Sequence, residues 1–284
     1  MSMSFSRALR RIGVVCSVAG VLLATSLASR AAARAETQGG SAHVAHVVAS
    51  QVTTLDGDEP RGVYTSKPVT LRTENGGLMA FPPSKSAARS PMSVIYLHGA
   101  HARVANGCPW FRSGASELGW LVCPEGVEEQ PDGSWSWGAD LVAQSAVVSR
   151  ALRAAAANGA STEPGVAVGF SQGSYVAVDL IKTHLARFRG LVLLGAEMHP
   201  NVQTLRDAGV VRVALGAGSL DGAHDSLVVE ARRLQSEGIE TRFVELGHIG
   251  HAYTVENTAV LRDAIAWAGG LDGRARVSGA EGSR

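Results

Sequence analysis

Gly165-Val166-Ala167-Val168-Gly169-Phe170-Ser171-Gln172-Gly173-Ser174-Tyr175-Val176-Ala177 changes character in its middle. An apolar run of strand length, Gly165 to Gly169, enters the pentapeptide Gly169-Phe170-Ser171-Gln172-Gly173, and a helical pattern runs from Gly173 to Arg187. A serine between a strand and a helix stands on a sharp turn beyond the strand's end, and the glycines leave room where side chains would clash. The helix behind it offers free N–H groups and the positive end of its dipole to a developing oxyanion. Gly-x-Ser-x-Gly alone recurs by chance. The strand before it and the helix after it give Ser171 the setting of a nucleophile.

Similar short apolar runs lie on either side. Ser93 to Leu97, Trp120 to Cys123, Leu191 to Leu194, Val211 to Leu215 and Thr241 to Leu246 are each bounded by glycine, proline or charge. Runs of that length and character suit strands buried on both faces. Val69 to Thr73 and Leu78 to Phe81 flank Asn75-Gly76-Gly77 and read as a hairpin. Helical patterns fall between the strands at Ala139 to Ala157, Leu227 to Gln235 and Val255 to Trp267. The alternation predicts an α/β domain over 61–270, with a mainly parallel open sheet and helices on both faces.

A hydroxyl nucleophile needs a base, and the base needs an orienting acid. Asp221 lies in Gly218-Ser219-Leu220-Asp221-Gly222, just after the strand ending at Leu215. His251 lies in Gly247-His248-Ile249-Gly250-His251-Ala252-Tyr253, just after the strand ending at Leu246. The order Ser171, Asp221, His251 is the one expected of this architecture. Two rivals stand close by. His248 shares the loop of His251, and Asp225 falls within the start of the next helical pattern.

On these residues the chain resembles the α/β-hydrolase superfamily over about 60–270. The elbow Gly169-Phe170-Ser171-Gln172-Gly173 is similar to that of its carboxylesterase, phospholipase and dienelactone-hydrolase branches. Tyr96-Leu97-His98-Gly99-Ala100 is similar to the segment that supplies the second oxyanion donor, and Gly250-His251-Ala252-Tyr253 to the surroundings of the catalytic histidine. The resemblance implies a serine esterase without a cofactor, acting on a small-molecule ester. Ser171 would be nucleophile, His251 base and Asp221 its partner, with the N–H groups of Ala100 and Gln172 forming the oxyanion hole. The family register favours His251 over His248. The connection from Gly195 to Val210 has room for one short helix at Val202 to Ala208 but not for a cap domain, which favours short acyl groups or exposed esters. A protein that keeps this fold only to bind a ligand is the alternative, although such a protein has no need of all three groups.

The N-terminus carries a separate message. Residues 1–35 hold Arg7, Arg10, Arg11, Arg30 and Arg34 and no acid. Ile12 to Ala28 is uncharged and apolar, and Ala33-Arg34-Ala35 has the form of a cleavage site, so 1–35 reads as a signal peptide. A retained anchor is the other reading, since 17 residues barely reach spanning length. Residues 36–60 read as a flexible lead-in and 271–284 as a frayed tail. Without 1–35 the chain carries 21 basic and 25 acidic residues, so its body is mildly acidic. That balance argues against a nucleic-acid partner and, once the signal is removed, against an anionic membrane. In an exported chain Cys108 and Cys123 remain as an even pair and a candidate disulfide, two buried thiols being the alternative.

His98-Gly99-Ala100-His101 and His248-Ile249-Gly250-His251 raise the question of zinc. HxxH in a loop fixes no geometry, neither segment has a nearby carboxylate, and zinc would leave Ser171 unexplained; no metal is assigned. Trp110, Phe111, Trp135 and Trp137 follow the third and fourth strands, on the ligand side of such a sheet. They either pack the loops or, with His101, Trp110 and Trp137 foremost, line a substrate pocket.

Overall fold

The computed structural model describes residues 67–73, 76–87, 91–163, 165–183 and 187–271. The signal peptide and lead-in expected over 1–60, and the expected tail beyond Leu271, lie outside the described residues. The hairpin strands are β1 (Val69–Thr73) and β2 (Gly76–Phe81), followed by β3 (Met92–Leu97) and β4 (Gly119–Cys123). A separate two-stranded ribbon, β5 (Glu128–Glu129) with β6 (Trp135–Ser136), precedes β7 (Gly165–Phe170), β8 (Phe188–Leu194), β9 (Arg212–Ala217) and β10 (Glu240–Glu245). Eight strands form one sheet in the order β1-β2-β4-β3-β7-β8-β9-β10. Within this sheet, among the described residues, only the pairings made by β2 are antiparallel.

Side chains alternate across the pleat, and both faces of the sheet are covered. Ile95, Leu97, Ala167, Leu191, Leu193, Val213 and Leu215 face one core, with α3 (Leu141–Ala157), α4 (Gln172–Ile181) and α6 (His224–Ser236). Val94, Tyr96, Val166, Val168, Val192, Leu194 and Ala214 face the other, with α1 (Val104–Gly107), α2 (Arg112–Leu118) and α7 (Thr258–Ala268). The short α5 (Val202–Asp207) lies between β8 and β9. Burial on both faces explains why the central strands read as unbroken apolar runs. Among the described residues no helix is long and apolar enough to cross a membrane.

Caps set several boundaries more tightly than periodicity does. The pattern from Ala139 becomes a helix only at Leu141, because Asp140 accepts hydrogen bonds from the N–H groups of Val142 and Ala143. Helix α4 stops at Ile181, short of the expected Arg187. The first turn of the last helix is a 3₁₀ turn, Val255–Asn257, under a Thr254/Asn257 capping box.

Chain order places the site. After β3 the chain adds β4 on one side, and after α3 it returns to add β7 on the other. The C-terminal ends of β3 and β7 are therefore adjacent, with connections leaving in opposite directions, and such a switch point opens a crevice. In the β3–β4 connection, α1 and a 3₁₀ turn (Cys108–Phe111) lead to α2. A disulfide joins Cys108 to Cys123 at the end of β4, with Cα atoms 6.0 Å apart.

Candidate active site

Ser171 occupies the turn between β7 and α4 with φ 52° and ψ −119°. This left-handed conformation is strained for a residue with a side chain, typically by 1–3 kcal/mol, and persists only where its surroundings enforce it. Here they do. A Cβ on Gly173 would lie 1.9 Å from the Leu97 carbonyl oxygen, and one on Gly169 2.5 Å from the Ser174 Cα. Both glycines let α4 rise steeply against the ends of β7 and β3. The Ser171 N–H donates to the Leu194 carbonyl (2.8 Å), and the Ser174 hydroxyl is also tied to Leu194.

The segment after β3 runs beside this elbow. A Cβ on Gly99 would stand 3.4 Å from the Ser171 Cβ, in van der Waals contact, so this backbone runs directly alongside the nucleophile turn. His98 is fully buried, and burial lowers its pKa. The neutral ring donates from Nδ1 to the Gly99 carbonyl at 2.7 Å, while Nε2 has no hydrogen-bond partner among the described residues. Ala100 sits in the exposed turn that follows. Gln172 is the first residue of α4, where backbone N–H groups have no partner within the helix. Its side-chain oxygen accepts from the Trp137 N–H at 3.1 Å.

Asp221 and His251 meet across two loops. Asp221 Oδ2 is 2.9 Å from His251 Nδ1, and Oδ1 accepts from the Ala223 N–H at 3.0 Å. The carboxylate is 6% exposed and the imidazole 47%, so the acid is sheltered while the ring reaches solvent. The Phe170 ring lies 4.9 Å from the His251 ring. Gly195, with φ +60°, closes the triangle. A Cβ there would lie 3.0 Å from His251 Cε1 and 3.2 Å from Asp221 Oδ2, directly after the Leu194 carbonyl that holds Ser171. All three residues thus converge on the end of β8. Gly195 had no special place in the sequence; a glycine closing an apolar run was the only signal.

The rivals point elsewhere. His248 Nδ1 is 3.1 Å from the Ser219 hydroxyl, and Asp225 lies in the first turn of α6, exposed and paired with His224. His98 is buried while His101 is exposed, so this HxxH does not converge on one point. Among the described residues no three His, Cys, Asp or Glu come together as metal ligands.

One expected pocket residue is corrected. Trp137 is fully buried; its indole N–H donates to the His98 carbonyl at 2.9 Å and its ring lies 5.2 Å from the His98 ring. It supports the β3 turn from beneath and offers no face to a ligand. Trp110 is partly buried, bonded to the Asn106 carbonyl and edge-on to Tyr253. His101 is exposed at φ 51°, its N–H bonded to Ser136. Two surface cavities, about 530 Å³ at His199–Arg233 and about 340 Å³ at Trp135–Arg150, contain none of the three converging residues.

No family model matches the chain, and no curated protein matches it. Solved structures do. An uncharacterized protein from Bacillus cereus ATCC 10987 superposes with a TM-score of 0.54 at 18% identity over 63% of this chain, which spans 60% of that protein. TT1662 from Thermus thermophilus gives 0.51 at 16% identity, covering 72% of this chain and 97% of that one. An esterase from Pyrobaculum calidifontis gives 0.52 at 15% identity, covering 72% and 85%. At such identities the likeness is one of fold, and the fold is that of the α/β-hydrolases.

Proposed function

We propose that the protein is an exported serine hydrolase of carboxylic esters, with Ser171, His251 and Asp221 as its triad. The convergence of the strained Ser171 turn and the Asp221–His251 pair on the end of β8 carries this reading. With Nδ1 engaged by Asp221, His251 has Nε2 left for proton exchange. It takes the Ser171 hydroxyl proton as Oγ bonds to the acyl carbon. The carbonyl π pair moves onto oxygen, where the N–H groups of Ala100 and Gln172 stabilise it, each worth about 3 kcal/mol in such sites. The C–O bond to the alcohol then breaks, and the alcohol leaves with the proton from Nε2. Water, deprotonated by His251, attacks the acyl-serine and releases the acid and free Ser171.

The half-exposed imidazole and the lone α5 between β8 and β9 favour short acyl groups or esters displayed on larger molecules. A long acyl chain gains affinity by leaving water, and an uncapped site offers it little cover. Export follows from the basic, apolar and small-residue succession of 1–35, and suits the Cys108–Cys123 bridge. A fluorophosphonate probe should label the protein at Ser171, and Ser171→Ala should abolish labelling and ester hydrolysis with its melting curve unchanged. Near-wild-type hydrolysis by Ser171→Ala defeats the proposal. A chelator should leave activity as it was.

A further inference from the structure

Beneath His251 lies an aromatic cluster with a polar link at its centre. The Tyr96 and Tyr253 hydroxyls are 2.8 Å apart, joining residues 157 positions apart in sequence. Tyr96 is fully buried on β3 and Tyr253 partly buried, two residues after His251. Phe111 stacks on Tyr96 (4.5 Å) and meets Tyr253 edge-on (5.2 Å). Phe170 lies between the base and this cluster, 4.9 Å from the His251 ring and 4.9 Å from the Tyr253 ring, which it meets at 84°. Burial pushes the Tyr253 pKa up to about 12 and raises that of Tyr96, so both stay protonated and one donates to the other.

For packing alone, phenylalanines would serve at both positions with no polar group to bury. The hydroxyl pair adds direction. Through Tyr96 it is fixed to β3, which runs on through His98 into Gly99 and Ala100. Through Tyr253 it is fixed to the His251 loop, and through the edge of Tyr253 to the elbow residue Phe170. Gly107 closes the remaining side. A Cβ there would lie 2.5 Å from the Tyr96 hydroxyl and 2.8 Å from that of Tyr253. Gly107 precedes Cys108, so the disulfide to Cys123 anchors that wall.

We propose that Tyr253 is a positioning residue for His251, held by the Tyr96 hydroxyl and by the wall at Gly107, and that it sets the ring's angle between Asp221 and Ser171. The proposal rests on His251 being the base. Tyr253→Phe should lower kcat by about tenfold with KM within about twofold, since small misplacements near reacting groups cost rate more than binding. Gly107→Ala, which presses on both hydroxyls, should act in the same direction. Tyr96→Phe/Tyr253→Phe leaves no unpaired hydroxyl, so its melting temperature should return toward wild type while kcat stays low. By NMR, the wild-type His251 Nδ1–H should give a downfield, exchange-protected signal that broadens or shifts in Tyr253→Phe. A sharp, unmoved signal with unchanged kcat in Tyr253→Phe overturns the proposal. Recovery of kcat in the double variant also overturns it, because the single variant's defect would then be one of stability alone. If the wild type shows no Ser171-dependent turnover, the esterase reading fails, and the NMR comparison still decides whether Tyr253 orients His251.

Discussion

The two halves of the site are held by different means. On the nucleophile side the constraint is backbone against backbone: Gly169 and Gly173 press on Ser174 and Leu97 at distances no Cβ tolerates. On the base side one backbone approach of that kind joins the two loops, since a Cβ on Gly218 would lie 2.2 Å from the Ile249 carbonyl oxygen, and the rest of the constraint is polar and exposed. The Ser219 N–H donates to the Gly247 carbonyl and the Leu220 N–H to the Ile249 carbonyl, while Ser219 pairs with His248 and His224 reaches Glu245. A Cβ at Gly250 or Gly222 would meet nothing within 4 Å. A strained serine requires an environment that cannot relax. An imidazole that exchanges protons with substrate and water, as the proposed mechanism has His251 do, is served by a few cross-links at the surface.

Substitutions can break the contrast at several strengths. His251→Ala should lose at least about 10⁴-fold in kcat/KM, as removal of a triad base does. His248→Ala should stay within roughly fivefold of wild type, because one exposed hydrogen bond contributes on the order of 1 kcal/mol. Paired kinetics decide between them, and the reverse ranking would move the base role to His248. Next in size, Gly173→Ala should destabilise the fold by at least about 3 kcal/mol through overpacking against Leu97. Gly250→Ala should stay within about 0.5 kcal/mol by denaturant unfolding. Equal losses would mean that the base loop is as tightly packed as the elbow.

Reducing the Cys108–Cys123 bridge, which spans a sequence separation of 15, should cost about 3 kcal/mol of stability. Free-thiol titration of the denatured, unreduced mature protein should find none. The smallest effect concerns His224, whose hydrogen bonds to Asp225 and Glu245 raise its pKa above the usual histidine value. The resulting stabilisation is fully present below the unfolded pKa of about 6.5 and fades as pH rises through the higher folded value. His224→Gln should therefore lower the melting temperature more at pH 6 than at pH 9. A uniform decrease would assign His224 a packing role, consistent with its edge-on contact to Phe243.

Much of this was legible in sequence because parallel strands covered on both faces have to be apolar throughout. The elbow was legible because glycine spacing is a backbone requirement written in residue type. What stayed hidden depends on contacts made through space. Trp137 reads as a loop aromatic on the ligand side, yet the indole folds inward and finds the His98 carbonyl. The β5–β6 ribbon carries Glu128 and Glu129 and shows no apolar alternation. Its one cue is Pro131-Asp132-Gly133, where the Gly133 N–H closes a turn on Gln130. His248 and His251 differ in partner, Ser219 against Asp221 on the one loop after β9, and residue spacing cannot show which residue of that loop each histidine faces.

The β8–β9 connection is pinned at both ends by sheet-type hydrogen bonds, Gly195 N–H to the Gly216 carbonyl and Val211 N–H to the Arg189 carbonyl. Between them lies the six-residue α5, which buries Val202 and Leu205 in the core and turns its other residues outward. Those anchors make the connection a natural splice site, because a longer module set between them would leave the registers of β8 and β9 and the Gly195 contact with His251 untouched. On the proposed function, selectivity for larger acyl groups is thus open to acquisition by insertion at a single locus, with the proposed reacting groups inherited unchanged.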